Sequence, residues 1–145
     1  MHICVVGAGA IGGLLAARFA GSGHEVTVIA RGANHEVIRQ RGIQIIEADG
    51  SKTVSENVQS SDQFKLSVAP DILVIALKAH QILSVISDLP NLWNSDTIIV
   101  PVQNGIPWWY FYKLKGPYEN HNLQAIDPDG KIWETIGPER ALGCV

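Results

Sequence analysis

The first thirteen residues, MHICVVGAGAIGG, restrict the fold more than any other stretch of the chain. Ile3, Val5 and Val6 form a short apolar, β-branched run, and Gly7, Gly9 and Gly12 follow it in G-x-G-x-x-G spacing. From Ala10 onward the residues read as a helix. Strand, glycine turn and helix in that order make a dinucleotide-binding loop, in contrast to a bare β–α turn. Gly7 permits the tight turn out of the strand, Gly9 lets the backbone approach a pyrophosphate, and Gly12 lets helix and strand pack closely. The residues from Gly7 through Ala8, Gly9, Ala10 and Ile11 to Gly12 are therefore the candidate phosphate cradle. Its charge complement is the unpaired N–H groups of the helix N-terminus.

The rest of the chain repeats the alternation. Glu25 to Ala30 reads as a second parallel strand, closed by Arg31-Gly32, and Ala33 to Arg41 as a helix ending at Gly42. Gly42 to Glu47 and Lys52 to Ser55 flank the Asp49-Gly50 turn signal of a hairpin. Asn57 to Asp62 reads as a polar loop and Phe64 to Val68 as a strand. Asp71 to Leu77 and Thr97 to Val102 are continuous apolar runs, typical of strands buried on both faces of a parallel sheet. Helices are expected over Gln81 to Leu89 and Ile106 to Leu114, and a hairpin over Asn120 to Gly137, turning at Asp127-Pro128-Asp129-Gly130. Leu142 to Val145 begins another apolar strand that nothing follows, which suggests a piece of something longer. The whole is an α/β, Rossmann-like, doubly wound and mainly parallel sheet over residues 1–145.

In such sheets a ligand lies across the carboxyl ends of the strands. The residues just past those ends are the glycine loop, Arg31, Lys78 and Asn104. Arg31 stands 24 residues after Gly7 (31 − 7), where NAD- or FAD-binding chains carry an acid for the adenosine ribose hydroxyls. A guanidinium there can hold a 2′-phosphate with two donors and stack on adenine, which favours NADP(H). The plain alternative is a solvated surface arginine. Lys78 can reach a ribose hydroxyl or a substrate oxygen, or simply snorkel from the sheet end. Asn104 lies in a Gln-Asn-Gly turn; its amide can donate to a carbonyl and accept from a hydroxyl, which suits a ketone and alcohol pair.

Several function classes are disfavoured. A net charge of −3 provides no footprint for nucleic acid or an anionic membrane, and no apolar run reaches the ~18 residues of a membrane span. The five histidines show no metal-ligand spacing, and no G-x-S-x-G elbow or Cys–His signature is present. Cys4 and Cys144, each inside an apolar run, read as core thiols. The cluster Trp108, Trp109, Tyr110, Phe111 and Tyr112 reads first as packing and second as a substrate or partner surface.

Together, MHICVVGAGAIGG, the arginine after the second strand, LKAHQ (Leu77 to Gln81) and QNGI (Gln103 to Ile106) resemble the N-terminal domain of the 2-dehydropantoate 2-reductases, or ketopantoate reductases. The resemblance implies NADPH-dependent reduction of 2-dehydropantoate to (R)-pantoate, a cytoplasmic step towards pantothenate and coenzyme A. By motif, Gly7 to Gly12 would hold the pyrophosphate, Arg31 the 2′-phosphate and Lys78 the cofactor near the active site. Asn104 would lie by nicotinamide and substrate. The general-acid lysine and an assisting glutamate belong to a helical second domain that is missing from this sequence. No catalytic residue is therefore assigned here, and little turnover is expected of the chain alone. The surface left by that domain and the exposed last strand would both drive non-native association, and a homo-oligomer is left open beside the small-molecule 2-keto acid as partner. Three other readings compete: a stand-alone NADP(H)-binding regulatory module, a reductase of another 2-keto acid, and a β-hydroxyacid or 6-phosphogluconate-type dehydrogenase, which shares the glycine loop and arginine but fits LKAHQ and QNGI less well.

Overall fold

A computed structural model describes residues 1–143. The strands are β1 (His2–Val6), β2 (Glu25–Ile29), β3 (Ile43–Ile46), β4 (Lys52–Ser55), β5 (Val58–Ser61), β6 (Ile72–Ile75) and β7 (Ile98–Pro101). The helices are α1 (Ala10–Gly21), α2 (Gly32–Arg41), α3 (Ala79–Ile82) and α4 (Lys131–Ile136). Five strands pair in the order β5-β2-β1-β6-β7, every pair parallel, and β3 with β4 forms a separate antiparallel hairpin. From the central β1 the chain winds outward to β2 and β5, then crosses back to β6 and β7. This is the Rossmann-like, doubly wound arrangement, with its switch point between β1 and β6.

Successive side chains of a strand face opposite sides, so the sheet has a core on each face. Ile3, Val5, Val26, Val28 and Val74 pack with Ala16, Ala20 and Ile38 of α1 and α2. Cys4, Val6, Leu73, Ile75 and Ile99 face the other way, against Ile82, Leu89, Trp108, Ile132 and Ile136. Each fully buried aliphatic side chain contributes about 1.5–3 kcal/mol, which explains why β1 and β6 carry almost nothing else. Val6 lies level with Ile29 on one side and Ile75 on the other, so β1, β2 and β6 end on one line.

Five local expectations are corrected. Val58 to Ser61, read as loop, is edge strand β5, and Phe64 to Val68 is not a strand. Only Val58 of β5 is fully buried, so the strand lacks an apolar signature; its partners are backbone groups of β2. The helix expected over Gln81 to Leu89 shrinks to α3, followed by tightened turns in which Val85 donates to the Ile82 carbonyl and Asp88 to that of Val85. Ser84 Oγ donates to the Gln81 carbonyl at 2.7 Å and competes with helical bonding. The apolar stripe Ile82, Val85, Ile86 and Leu89 is nonetheless buried.

Ile106 to Leu114 is likewise a series of turns, closed where Asn120 Oδ1 accepts from the Lys113 N–H and the Asn120 N–H donates to the Phe111 carbonyl. Asn120 to Gly137 contains no hairpin: a 3₁₀ turn at Pro128–Gly130 leads into α4. The Asp127 carboxylate, fully buried, accepts from the Ile132 and Trp133 N–H groups at 2.8 and 2.9 Å and from Asn122 Nδ2. It therefore starts a helix instead of turning a hairpin.

Beyond β7, Ala141 bridges in parallel to Ile99, and the Leu142 N–H donates to the Ile99 carbonyl at 2.8 Å. Cys144 and Val145, the rest of the expected last strand, lie outside the described residues. Among the described residues no helix is long and apolar enough to cross a membrane.

Candidate functional site

The site begins where β1 stops. The Gly7 N–H donates to the Ile29 carbonyl at 3.0 Å, extending the β1–β2 ladder by one residue, and Gly7 then turns with φ of +105°. A Cβ at Gly12 would overlap the Gly7 carbonyl oxygen and stand 2.9 Å from Ala76 Cβ. Helix α1 reaches the sheet this closely because position 12 has no side chain. A Cβ on Gly9 would meet nothing within 4 Å, since Gly9 faces open space. Gly9 precedes α1 without a side-chain cap, and the first turn carries no acidic residue. The Gly13 N–H is the first to be satisfied, by the Gly9 carbonyl at 2.8 Å. The N–H groups before it thus remain available to an anion.

A cleft of about 600 Å³ opens there, lined by Gly7, Ala8, Gly9, Ala10 and Ile11, with Arg31 and Lys78 on its walls. Its floor is the end of β6, at Ala76 and Leu77. No carboxylate among the described residues lines it, so its fixed charges and its helix N-terminus are all of positive sign. That polarity, the uncapped α1 and the space over Gly9 fit a dinucleotide phosphate. Arg31 is exposed and, among the described residues, forms no ion pair. Lys78 precedes α3; its N–H donates to Gln81 Oε1 at 3.1 Å, and the Gln81 N–H donates to the Lys78 carbonyl at 2.8 Å.

Asn104 is not on the wall of that cleft. It is exposed in the turn after β7 and lines a neighbouring cavity of about 10 Å³, together with Trp108 and Ile132. Gln103 connects the two places, since its Nε2 donates to the Leu77 carbonyl at 3.1 Å. Sequence reasoning missed Asn34, Phe64, Gln81 and Ser84, which also line the cleft. Gln81 was within sight in the Lys78–Gln81 spacing, whereas Phe64 carries no local signal at all.

The aromatic cluster is mainly packing. Trp108 is buried and meets Trp109 and Trp133 edge-on at centroid distances of 5.1 and 6.3 Å. Cys4 lies in the middle of β1, where burial pushes its thiol up to about 12, so it stays protonated and inert. Among the described residues no group of three or more His, Cys, Asp or Glu is placed to hold a metal ion.

Comparison with known proteins agrees with the geometry. The family described as "Ketopantoate reductase PanE/ApbA" matches residues 3–107. A 2-dehydropantoate 2-reductase of Mesorhizobium japonicum is 42% identical over 146 residues, covering 100% of this chain and 44% of that protein. A crystal structure assigned to a ketopantoate reductase of Ralstonia solanacearum MolK2 superposes with a TM-score of 0.89 at 37% identity, over 99% of this chain and 44% of that one. D-mandelate dehydrogenase, solved with NADH and anilino(oxo)acetate, gives 0.66 at 28% identity, over 73% of this chain and 34% of that one. The chain thus spans less than half the length of these relatives. The match over residues 3–107 takes in the glycine loop, Arg31, Lys78 and Asn104, and the chain belongs to the ketopantoate reductase family.

Proposed function

We propose that residues 1–145 form the nucleotide-binding domain of an NADP(H)-dependent reductase that converts 2-dehydropantoate to (R)-pantoate in the cytoplasm. One observation carries this reading: the glycine loop, Arg31 and Lys78 meet in a single cleft without carboxylates at the ends of the strands. A nicotinamide bound there supplies the hydride for the keto carbon. The backbone from Gly7 to Gly12 holds the pyrophosphate, with α1 N–H groups as donors. Arg31 offers two parallel donors to the 2′-phosphate, the group that distinguishes NADPH from NADH. Lys78 donates from Nζ to a ribose hydroxyl on the nicotinamide side, and Asn104 donates its amide to the keto oxygen. No described residue is assigned as general acid. The family resemblance gives that role to a lysine of a helical second domain, so this chain alone is expected to bind cofactor with little turnover.

One observation favours a different 2-keto acid as substrate: the neighbour at 28% identity is a mandelate dehydrogenase solved with an aryl-amino oxoacid. The cofactor site is common to both readings, and the first test addresses it.

Calorimetric titration with NADPH and, separately, NADH is that test. Charge-assisted hydrogen bonds contribute about 1.5–3 kcal/mol, so NADPH should bind about 10- to 100-fold tighter, and Arg31→Ala should remove most of the difference. Equal affinities, or no binding of either nucleotide, would overturn the reading.

A further inference from the structure

We infer that Phe64 is the positioning residue for Arg31, and that selection for a 2′-phosphorylated nucleotide depends on its ring. This rests on the proposed role of Arg31 and adds a residue that no motif of the sequence marks.

The placement arises from the sheet edge. Ile29 of β2 pairs in register with Ser61 of β5, and the Ala30 N–H donates to the Ser61 carbonyl at 2.9 Å. Both strands therefore leave the sheet side by side at the cleft end. Ser61 then reverses the chain: its Oγ accepts from the Gln63 N–H at 3.1 Å and donates to the Gln63 carbonyl at 3.2 Å. The reversal brings Phe64 back over the cleft, where it packs half-buried against the core cluster that includes Ile29 and Leu73. Its ring centroid lies 5.3 Å from Arg31 Cζ. That separation lies within cation–π range and is too short for an adenine to enter between the two groups.

The consequence is orientation. An arginine without an ion pair explores many rotamers, and ordering it on binding costs affinity. Phe64 is anchored in the core and offers its π-face to the cation. Arg31 is thereby held in the cleft before any ligand arrives, one face of the guanidinium covered and its N–H edge free. A phosphate that meets this edge finds paired donors already aimed.

The test compares Phe64→Leu, which keeps apolar bulk, with Phe64→Tyr, which keeps the ring. Dissociation constants for NADPH and NADH are measured on this chain in wild-type and Arg31→Ala backgrounds, with circular dichroism to confirm folding. Phe64→Leu should weaken NADPH roughly three- to tenfold, leave NADH unchanged and have no further effect when Arg31 is alanine. Phe64→Tyr should retain the wild-type preference, and carries the test with Arg31→Ala if the leucine variant fails to fold. Equal weakening of both nucleotides by Phe64→Leu, an undiminished preference, or a lost preference in Phe64→Tyr would overturn the inference. If Arg31→Ala removes the preference while Phe64→Leu does not, only the role of Phe64 falls. If Arg31→Ala changes nothing, the reading of the cofactor site falls with it.

Discussion

Gln103 Nε2 donates to the Leu77 carbonyl across 3.1 Å and so joins the end of β7 to the end of β6. The bond lies between Lys78, next in sequence to one partner, and Asn104, next to the other. It sets the spacing of the two side chains proposed to face the nicotinamide end. Gln103→Ala should weaken NADPH about three- to tenfold and leave 2′,5′-ADP binding unchanged, because the adenosine half of the cleft does not involve this bond. Titration of the variant with both ligands separates the outcomes; equal weakening of the two would mean that the bond supports the whole sheet edge.

The roles of Gly12 and Gly9 in the glycine loop separate by substitution. Gly12→Ala drives a Cβ into the Gly7 carbonyl, backbone that cannot move aside, and should cost about 3 kcal/mol of stability. Gly9→Ala adds a methyl group to open space, so its melting temperature should match the wild type. The same methyl group occupies the room proposed for the pyrophosphate and should reduce nucleotide affinity at least about tenfold. Thermal unfolding paired with titration distinguishes one glycine needed for folding from another needed for binding.

Asp127 holds α4 in place through two backbone donors and Asn122. Asp127→Ala should destabilise the protein by about 1–3 kcal/mol. Trp133 donates its backbone N–H to the carboxylate and its ring packs against Trp108, so loosening α4 should shift tryptophan emission to the red. A variant with unchanged emission and stability would show that α4 docks through its apolar face alone.

Cys4 gives the protein a pH dependence of predictable sign. Burial raises the thiol from 9.0 to about 12, so above pH 9 the unfolded chain loses a proton that the folded chain keeps. This contribution to stability is complete below about pH 9 and is lost as the pH rises towards 12. Denaturant unfolding at pH 8 and pH 10 should show a greater loss for the wild type than for Cys4→Ala, by up to about 1.4 kcal/mol per pH unit. Parallel losses in the two proteins would contradict it.

The legible parts of the chain share one property: their side chains alone state their environment. The apolar runs of β1, β2, β6 and β7 can satisfy their packing only inside a parallel sheet, and the Asp49-Gly50 turn fixes the β3–β4 hairpin. The illegible parts take their structure from partners distant in sequence. β5 is polar because its backbone pairs with β2 while its side chains mostly face outward. The segment after α3 has a helix's apolar spacing but bonds through the Ser84 hydroxyl and tight turns. Asp127-Pro128-Asp129-Gly130 has the composition of a hairpin turn, and becomes a helix start because the Asp127 carboxylate is buried within reach of two N–H groups.

The sequence by itself determined the Rossmann-like order of elements and the glycine loop, because local sterics and apolar periodicity act over a few residues. It also placed Arg31, Lys78 and Asn104 at strand ends, since a strand's end is a local property. Tertiary structure alone decided which strand ends are neighbours. Through that it joined Arg31 and Lys78 in one cleft, left Asn104 beside a second and smaller cavity, and laid Phe64 against Arg31. Those relationships depend on pairing between strands dozens of residues apart. No local pattern of residue types encodes such pairing, because the energy that selects it comes from the packed sheet as a whole.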